Sequence, residues 1–392
     1  MEVMKTLLTI VFVVLFGVCL INYSIDFAFY LINRYCRFHI GRWKFNKWKL
    51  AIEKKAQKWL KITPTVKITD NSRYILLDIL KGNYRSRNIQ SWQKAALLLG
   101  LNNGLLDKSK FLAQAEVIKL LDSKGEWRHK PNSVDCGMLS YAIMNVAKDL
   151  NFIKPAMDYT IEIINRNIND NGMISYCGGA TNPDMYVDTI GLTIPFLVLY
   201  AFNYNKTEYE DLAFHQIEMF RKYGLLKGNS LPNHAFNINN KLPLGVYGWG
   251  RGTGWYVIGM VDSYNFFKNA NYKEKIKIWI HEAAEDYLSF QHIDGGFGAI
   301  LQSPNTYDSS ITAIMAWFYS FCSKLFLNNE YLKIAEKCIF ALLKRTRISG
   351  AIDYNQGDTK GIGIFAQSYD IMPFSQGMVL RALSEIEKNN FL

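Results

Sequence analysis

Residues 249–256 read Trp-Gly-Arg-Gly-Thr-Gly-Trp-Tyr, and these are residue types that a ligand site uses. Arg251 has a permanent positive charge, and Trp249 and Trp255 offer flat apolar faces on either side of it. The three glycines leave room for close approach and permit backbone angles that other residues avoid. The stretch could therefore form a ligand-binding loop. It is equally typical of a tight turn before a buried helix, with both tryptophans in the core.

Asp135 and Asp188 each stand at the start of an apolar run, and Tyr186 comes two residues before Asp188. An aspartate at a helix start is ordinarily an N-cap, which accepts hydrogen bonds from unpaired backbone amides. Convergence favours a further role, because the helix arrangement described below predicts that both carboxyl groups meet Arg251, His234 and several aromatic rings at one place.

That combination has a definite chemistry. A carboxyl group beside apolar aromatic walls has its pKa raised by desolvation, which suits a general acid near neutral pH. Aromatic faces together with acids describe a sugar site, and the forked donors of an arginine are suited to a carboxylate on the sugar. We therefore predict Asp135 and Asp188 as the acidic residues of a site for an acidic sugar.

Two kinds of helical segment alternate along the chain from residue 44 onward. Amphipathic segments with a period near 3.6 residues fall near 44–61, 109–122, 154–167, 207–223, 272–291 and 329–345. Segments that are apolar on almost every side fall near 91–102, 135–149, 188–203, 254–268, 310–327 and 375–388. A helix that is apolar all round must be buried on every side, whereas an amphipathic helix has one face in solvent.

This alternation is a weak repeat of roughly 55–65 residues, and it predicts six helical hairpins. Six hairpins with apolar inner and amphipathic outer members form an all-α toroid, the (α/α)6 barrel. Its inner helices line the centre and its longer loops open on one face. Because Asp135, Asp188 and the 249–255 stretch all precede inner helices, the toroid places them around the mouth of the central cavity.

The first 32 residues predict a transmembrane signal anchor. Residues 7–21 contain no charge, and the apolar character continues through residue 32 with Asp26 as the only interruption, which gives the roughly 20 residues that a span needs. No small-x-small cleavage site follows, so an anchor is favoured over a removed signal peptide. The alternative is an exported protein with a basic first helix.

A basic juxtamembrane segment, residues 33–43, is predicted between the anchor and the barrel domain, residues 44–392. Between residues 33 and 62 ten Lys or Arg stand against Glu53 alone, so this window holds +9 of the net charge of +11. Basic residues next to a span favour the cytoplasmic side and anionic headgroups. We therefore expect a single-pass membrane protein with a cytoplasmic barrel. The remaining charge is too small for a nucleic-acid partner.

Composition narrows the remaining classes. The chain has 392 residues, of which 49% are hydrophobic and 20% charged, as in folded proteins. The six cysteines contain no CxxC pair, and Cys136, Cys322 and Cys338 lie in apolar runs, so we expect buried thiols and no disulfide framework. The six histidines show no zinc-ligand spacing, so no metal site is predicted. The sequence leaves the oligomeric state open.

At four places the sequence resembles the unsaturated rhamnogalacturonyl and glucuronyl hydrolases of glycoside hydrolase families 88 and 105. The matching segments are Tyr-Val-Asp-Thr at 186–189 with Ile-Pro-Phe-Leu at 194–197, Asn-His-Ala-Phe at 233–236, Trp-Gly-Arg-Gly-Thr-Gly-Trp at 249–255 and, more loosely, Ser-Ser-Ile-Thr-Ala at 309–313. The resemblance covers about residues 44–392, and the 249–255 segment is its most specific part. The fold of these families is a six-hairpin (α/α) barrel.

The resemblance implies a hydrolase of 4,5-unsaturated uronyl residues in acidic oligosaccharides, with no metal or organic cofactor. In these families an aspartate protonates the C4=C5 double bond and helps water to add at C5, after which the hemiketal collapses. By position Asp188 would be that aspartate and Asp135 the second acidic residue. The substrate-binding residues implied by the resemblance or predicted from the site chemistry are Tyr186, His234, Trp249, Arg251 and Trp255.

Two departures from the family pattern bear on the substrate. Phe236 and Asn237 stand where the family often has Trp-Asp, and Tyr176 and Cys177 stand where some members have a histidine upstream of the catalytic aspartate. The alternatives are a different carbohydrate-active barrel enzyme (a lyase, an epimerase or a hydrolase of saturated sugars) and a non-catalytic glycan-binding protein of surface-polysaccharide assembly.

Overall fold

Helices dominate the computed structural model, which describes residues 1–62, 64, 66–82, 85–86 and 90–388. In chain order the helices are α1 (Glu2–Phe38), α2 (Phe45–Lys61), α3 (Ile75–Leu80), α4 (Ser91–Asn102), α5 (Asp107–Leu120), α6 (Cys136–Val146), α7 (Leu150–Arg166), α8 (Val187–Tyr204), α9 (Thr207–Gly224), α10 (Gly250–Tyr264), α11 (Ala270–Leu288), α12 (Ser309–Leu325), α13 (Asn329–Leu343) and α14 (Pro373–Glu387).

Six helices, α4, α6, α8, α10, α12 and α14, form an inner ring, because each packs against the next and α14 packs back against α4. The outer partners are α2, α5, α7, α9, α11 and α13. Inner helices are buried all round, as in α8, where residues 187–201 are buried without exception. Outer helices bury one stripe, as in α11, where Ile276, Ile280 and Ala283 face the core. The six-hairpin toroid predicted from the alternating apolar pattern is confirmed.

The ring closes where α14 meets α4. A side-chain carbon added at Gly377 would collide with the backbone oxygen of Ala96, and one added at Gly100 would collide with the backbone of Gly377. Glycine is needed here because the two backbones approach more closely than a Cβ allows. The first and last inner helices of the barrel are therefore in direct backbone contact.

Short strands lie at the mouth, on the side where the inner helices begin. Strands β3 (Asp184–Tyr186), β4 (Ala235–Asn237) and β5 (Pro243–Leu244) form an antiparallel sheet, and β6 (Asn355–Gln356) pairs with β7 (Tyr369–Asp370). Strands β1 (Val66–Lys67) and β2 (Arg85–Ser86) form a third pair. Residues 357–368, between β6 and β7, are named the cover loop here. These pieces position the loops that carry polar residues.

The N-terminal helix α1 is longer than the predicted anchor. It continues past residue 32 to Phe38, so the boundary between anchor and basic segment is not a break in the helix. Its most apolar window has a mean hydropathy of 2.5 and is not buried by the rest of the described chain, so α1 is a candidate membrane span. Helix α8 is also long and apolar enough, but most of it is buried in the barrel core.

The predicted basic segment is held against the barrel. The amide of Gly41 donates to the backbone oxygen of Thr346, and the indole of Trp43 donates to the backbone oxygen of Arg347. Of the cysteines, Cys136, Cys322 and Cys338 are buried free thiols, as the apolar runs around them predict.

Candidate functional site

A cavity of about 300 Å³ opens at the mouth of the barrel, in the size range of a small-molecule site. It lies between the beginnings of α4, α8 and α10, the end of β3 and the cover loop. Its lining residues are Gln90, Trp92, Tyr176, Cys177, Tyr186, Asp188, Leu192, His234, Arg251, Trp255, Asp358, Thr359, Lys360 and Gly361. Five of the predicted site residues are therefore on one wall: Tyr186, Asp188, His234, Arg251 and Trp255.

Asp188 is the second residue of α8 and caps no helix, since the cap position is held by Tyr186. The oxygen Oδ2 is buried and has no hydrogen-bond partner in the described part of the chain. The pKa of this carboxyl is raised to about 7, chiefly by burial and also by the charge of Asp358, against the opposing effects of Arg251 and Trp255. At neutral pH the group can therefore hold a proton or release it. By contrast, Asp308 at the start of α12 is an ordinary N-cap that accepts from the amide of Ser310.

His234 faces Asp188, with its Nε2 3.6 Å from Oδ2. The pairing of β3 with β4 brings the two together, because Tyr186 lies opposite Ala235 in the register. The amide of Gly363 donates to Nδ1 of His234 at 3.1 Å, so in the neutral ring the proton is on Nε2 and is directed toward Asp188. Burial, together with the charge of Arg251, lowers the pKa of His234 to about 4. The ring is therefore a neutral donor at neutral pH.

Arg251 lies in the first turn of α10 and is fully buried, but its fork is not free. Its Nη1 donates to the backbone oxygen of Gln356 at 2.8 Å and its Nη2 to that of Gly357 at 2.7 Å. In the described part of the chain these bonds use two of the five N–H donors of the guanidinium, so the predicted clamp is partly committed to the chain itself, and its contact with a substrate carboxylate stays a prediction. In this arrangement Arg251 fixes the root of the cover loop and brings a positive charge to the cavity wall.

Comparisons with known proteins show which family the chain belongs to. The profile of glycosyl hydrolase family 88 matches residues 107–390, which is more than half of the chain. The chain belongs to glycosyl hydrolase family 88. It is therefore a glycoside hydrolase, as predicted. A search of curated proteins gives no match.

Solved structures give the same fold for this family 88 chain. A possible family 105 member from Salmonella enterica serovar Paratyphi A is 17% identical, with a TM-score of 0.71 over 88% of this chain and 94% of that one. An unsaturated glucuronyl hydrolase specific for heparin is 16% identical, with a TM-score of 0.66 over 88% and 99%. The unsaturated glucuronyl hydrolase of Bacillus sp. GL1, which degrades glycosaminoglycan, is 17% identical, with a TM-score of 0.62 over 86% and 95%. At these identities the likeness shows the fold alone.

The 249–255 stretch of this glycoside hydrolase is helix and not loop. Helix α10 begins at Gly250, four residues before the predicted start, and none of the three glycines at 250, 252 and 254 has a positive φ. A Cβ at Gly254 would collide with Ile314 of α12, and one at Gly252 would collide with the ring of Trp249. The glycines therefore allow helices and rings of the barrel itself to pack closely. Of the two alternatives for this stretch, close packing at the start of a buried helix therefore describes these glycines, and the ligand-binding loop does not.

The two tryptophans have different positions. Trp255 is on the cavity wall and meets Trp92 edge-on, with ring centroids 5.6 Å apart. Trp249 is buried, lies outside the lining residues, and supports His234 with ring centroids 4.6 Å apart. Its indole nitrogen donates to the side chain of Gln356 at 3.1 Å. The prediction of Trp249 as a wall of the site thus changes to a support behind His234.

Asp135 is near the site but not among the residues that line the cavity. It occupies the N-cap position of α6 without capping the helix through its side chain, and the hydroxyl of Ser133 donates to it. Burial raises its pKa, and the charge of Asp358 adds to this rise. Tyr176 lines the cavity, and burial is the main cause that raises its pKa. The charges of Asp188 and Asp135 raise this pKa further.

Among the lining residues that were not predicted from the sequence, Trp92 brings an aromatic ring to the cavity, and Asp358 and Lys360 bring charges. Trp92 lies in an apolar helix, where nothing distinguishes a cavity residue from a core residue. Asp358 and Lys360 lie in the cover loop, which has no helical or strand period, although its glycines at 357, 361 and 363 were a usable signal. In the described residues, no three His, Cys, Asp or Glu side chains come together in a group that could hold a metal ion.

Proposed function

We propose that this glycoside hydrolase removes a 4,5-unsaturated uronyl residue from the non-reducing end of an acidic oligosaccharide, with Asp188 as general acid and base. One observation carries the proposal: the buried Asp188 carboxyl has a pKa of about 7 and an oxygen without a protein partner, and it lies on the wall of a cavity lined by aromatic rings. The activity of the two unsaturated glucuronyl hydrolases with the same fold supports the substrate class.

The reaction needs one group that both gives and takes a proton. The C4=C5 bond of the substrate is an enol ether, because the ring oxygen is attached to C5. Protonated Asp188 would donate to C4, and the positive charge that develops at C5 is shared with the ring oxygen. Water then adds at C5 and gives a proton to the Asp188 carboxylate, which restores the acid. The C5 hemiketal opens to a ketone, and the C1 hemiacetal so formed releases the next sugar and becomes an aldehyde.

The other wall residues have roles that follow from their position. Trp92 and Trp255 present aromatic surface to the sugar ring, and the Nε2 proton of neutral His234 is a donor beside the reacting carboxyl. Arg251 contributes positive charge for a uronate carboxylate while its fork stays on the cover loop. Tyr186 meets the His234 ring edge-on and completes this wall. Asp135 would act through charge from outside the cavity lining.

We propose that the N-terminal helix is a single membrane span, with the barrel on the cytoplasmic side. The helix is not cleaved off after synthesis. Exposed basic residues directly after the span support this side. Retention is supported by two contacts that a cleaved signal would lose. The carboxylate of Asp26 accepts from the amides of Tyr74 and Ile75, and Arg37 forms a two-pronged pair with Asp353.

The test of the activity uses full-length protein in detergent with two matched disaccharides that differ only in the C4=C5 bond. We expect ultraviolet absorbance of the unsaturated disaccharide to fall while the second sugar is released, and no release from the saturated one. In deuterated water the uronate product should carry one solvent deuterium at C4. Release from the saturated disaccharide, or a product without deuterium at C4, would contradict the proposed chemistry.

A further inference from the structure

Among the residues that the structure describes, helix α1 is attached to the rest of the chain along its second half only. From its C-terminal end backward, Gly41 just after the helix bonds to the chain at the end of α13, and Arg37 bonds to Asp353 and to the backbone oxygen of Tyr369 in β7. Farther back, Asp26 holds the start of α3. Asn22 is still buried, whereas the residues before it are exposed except for a half-covered Gly17. The contacts thus pass from the barrel wall to the β6–β7 hairpin and then to α3.

The unattached part of α1 has the length of a bilayer core. Residues 2–21 are twenty helical residues, and at about 1.5 Å per residue they extend about 30 Å, the thickness of the hydrocarbon layer. No residue of its apolar window is buried by the described part of the chain. A lipid bilayer is therefore the occupant that fits this segment, and the attached half begins where the bilayer core ends.

The attachment points are on the mouth side of the barrel. Asp353 lies beside the start of α12, where its backbone oxygen accepts from the hydroxyl of Ser309. Tyr369 belongs to the hairpin that carries the cover loop. Helix α3, which α1 also contacts, exposes Tyr74, Leu77 and Leu80 beside it, as expected for a surface at the level of the headgroups. The free half of α1 therefore projects from the same end of the barrel as the mouth.

A second cavity lies between the site cavity and this region. It measures about 330 Å³ and shares Gln90 and the Asp358–Lys360 part of the cover loop with the site cavity. Its other wall is the segment 68–70, in which Asp70 accepts from Lys360 at 2.7 Å and from the amide of Ser368 at 2.9 Å. Asp70 also borders a shallower pocket formed with residues at the start of α3. Three neighbouring cavities thus follow one another from Asp188 toward α3 and α1.

We infer that α1 holds the barrel with its mouth toward the bilayer, and that the substrate is the saccharide of a lipid-linked acidic glycan in the same membrane. This rests on the proposed function. The terminal uronyl residue would occupy the site cavity, the following sugars would lie in the second cavity beside Asp70, and the reducing end would lead past α3 to a lipid. A site fixed at the membrane surface meets such glycans at high effective concentration.

The orientation can be measured without any substrate. Full-length protein with Cys19, Cys36 and Cys177 replaced by alanine receives one new cysteine, at Ile364→Cys in the cover loop or at Leu327→Cys in the turn at the opposite end of the barrel. Both positions are well exposed, at 58% and 91%. Each is labelled with a fluorescent donor and reconstituted into phosphatidylcholine vesicles with acceptor-labelled headgroups. We expect stronger energy transfer from position 364. Equal transfer, or stronger transfer from position 327, would overturn the orientation.

The substrate class is tested with unsaturated glucuronyl disaccharide coupled through its reducing end to a dialkyl lipid. With enzyme and glycolipid in the same phosphatidylcholine vesicles, we expect turnover at least about tenfold faster than with the two in separate vesicles. The free disaccharide, assayed with the same vesicles, shows that the enzyme is folded and active. Equal rates in shared and separate vesicles would overturn the substrate class while leaving the hydrolase intact. No turnover of the free disaccharide would instead count against the proposed function, and the labelling experiment still decides the orientation.

Discussion

The two ends of the barrel each bury an aspartate and an arginine, and the two pairs are arranged differently. At the end opposite the mouth, Arg381 of α14 donates to both oxygens of Asp262 in α10, at 3.0 and 2.5 Å, and lies over the ring of Trp317 at 4.2 Å. At the mouth, Arg251 donates to backbone oxygens of the β6–β7 hairpin, and one oxygen of Asp188 has no hydrogen-bond partner among the described residues.

This difference separates a structural carboxylate from a reactive one. Burial alone would lower the pKa of Arg381, but the charge and hydrogen bonds of Asp262 raise it, so the pair stays ionised. Each oxygen of Asp262 accepts a charged hydrogen bond from Arg381, which favours the ionised form and holds the carboxylate in place. Asp188 has the same residue type and comparable burial, yet it lacks the partner, and so burial raises its pKa into the range where it can exchange a proton.

The largest expected effect comes from Asp188→Asn, which keeps the shape of the side chain and removes proton transfer. We expect hydrolysis of the unsaturated disaccharide to fall by about 10²- to 10⁴-fold. The free energy of unfolding should not fall. The folded pKa lies above that of an ordinary aspartate, so the wild-type protein loses stability as pH rises from about 4 through about 7, and the variant does not. Activity within threefold of wild type would remove Asp188 from the mechanism.

The second largest effect is expected from Asp262→Asn, at the end of the barrel opposite the mouth. Removal of one partner leaves the buried Arg381 charge uncompensated, which costs about 3–5 kcal/mol of unfolding free energy. Urea unfolding of the detergent-solubilised protein measures this. In the double variant Asp262→Leu with Arg381→Met no buried charge remains, and we expect it to be more stable than the single variant. If Asp262→Asn were as stable as wild type but inactive, the contrast between the two ends would fail.

The pH profile gives a third test of the contrast. Because the protonated form of Asp188 is the acid, kcat/KM should be high below a pKa of about 7 and fall as pH rises through it. His234 stays neutral until pH falls to about 4, so no loss from its protonation is expected between pH 5 and 7. A profile whose falling limb lies well above pH 8 would contradict the role of Asp188. In Asp262→Asn, under conditions where it stays folded, this limb should not move.

The smallest expected effect is that of Arg251→Lys, which keeps the charge and loses the fork. A lysine cannot hold the backbone oxygens of Gln356 and Gly357 together, so the cover loop is less well positioned. We expect KM for the unsaturated disaccharide to rise about tenfold with kcat within threefold. A loss confined to kcat would instead point to direct action of Arg251 on the reacting atoms.

Much of the fold could be predicted because it depends on one repeated physical requirement. Helices such as α8 and α12 are apolar on every side and can only be inner, while α11 has one apolar stripe and can only be outer. The order of the two kinds then determines the toroid, and helix starts mark the mouth. For the same reason Asp188, His234 and Trp255 could be predicted at one place.

The prediction failed where a residue type has two uses. Glycines at 250, 252 and 254 suit a loop and also a close helix contact, and only the neighbours Val187, Ile311 and Ile314 show which applies. The donors of Arg251 suit a substrate carboxylate and also carbonyls of the distant β6–β7 hairpin. The cover loop has no periodicity, so its approach to the site could not be read from the chain. Helix α1 continues past the predicted anchor to Phe38, and its end could not be read from the apolar run, because the exposed residues after Ile32 include Asn33 and Arg34.

The backbone contact between Gly377 and Ala96 has a consequence for synthesis of the protein. Helix α4 is made early, but its partner α14 is the last helix of the ring, so the barrel cannot close until the ribosome has finished almost the whole chain. Until then the apolar inner helices have no closed ring to enter. A chain stopped before residue 373 lacks this closing helix and should be recognised by chaperones and proteases as unfolded, even though every residue of the site cavity has been made.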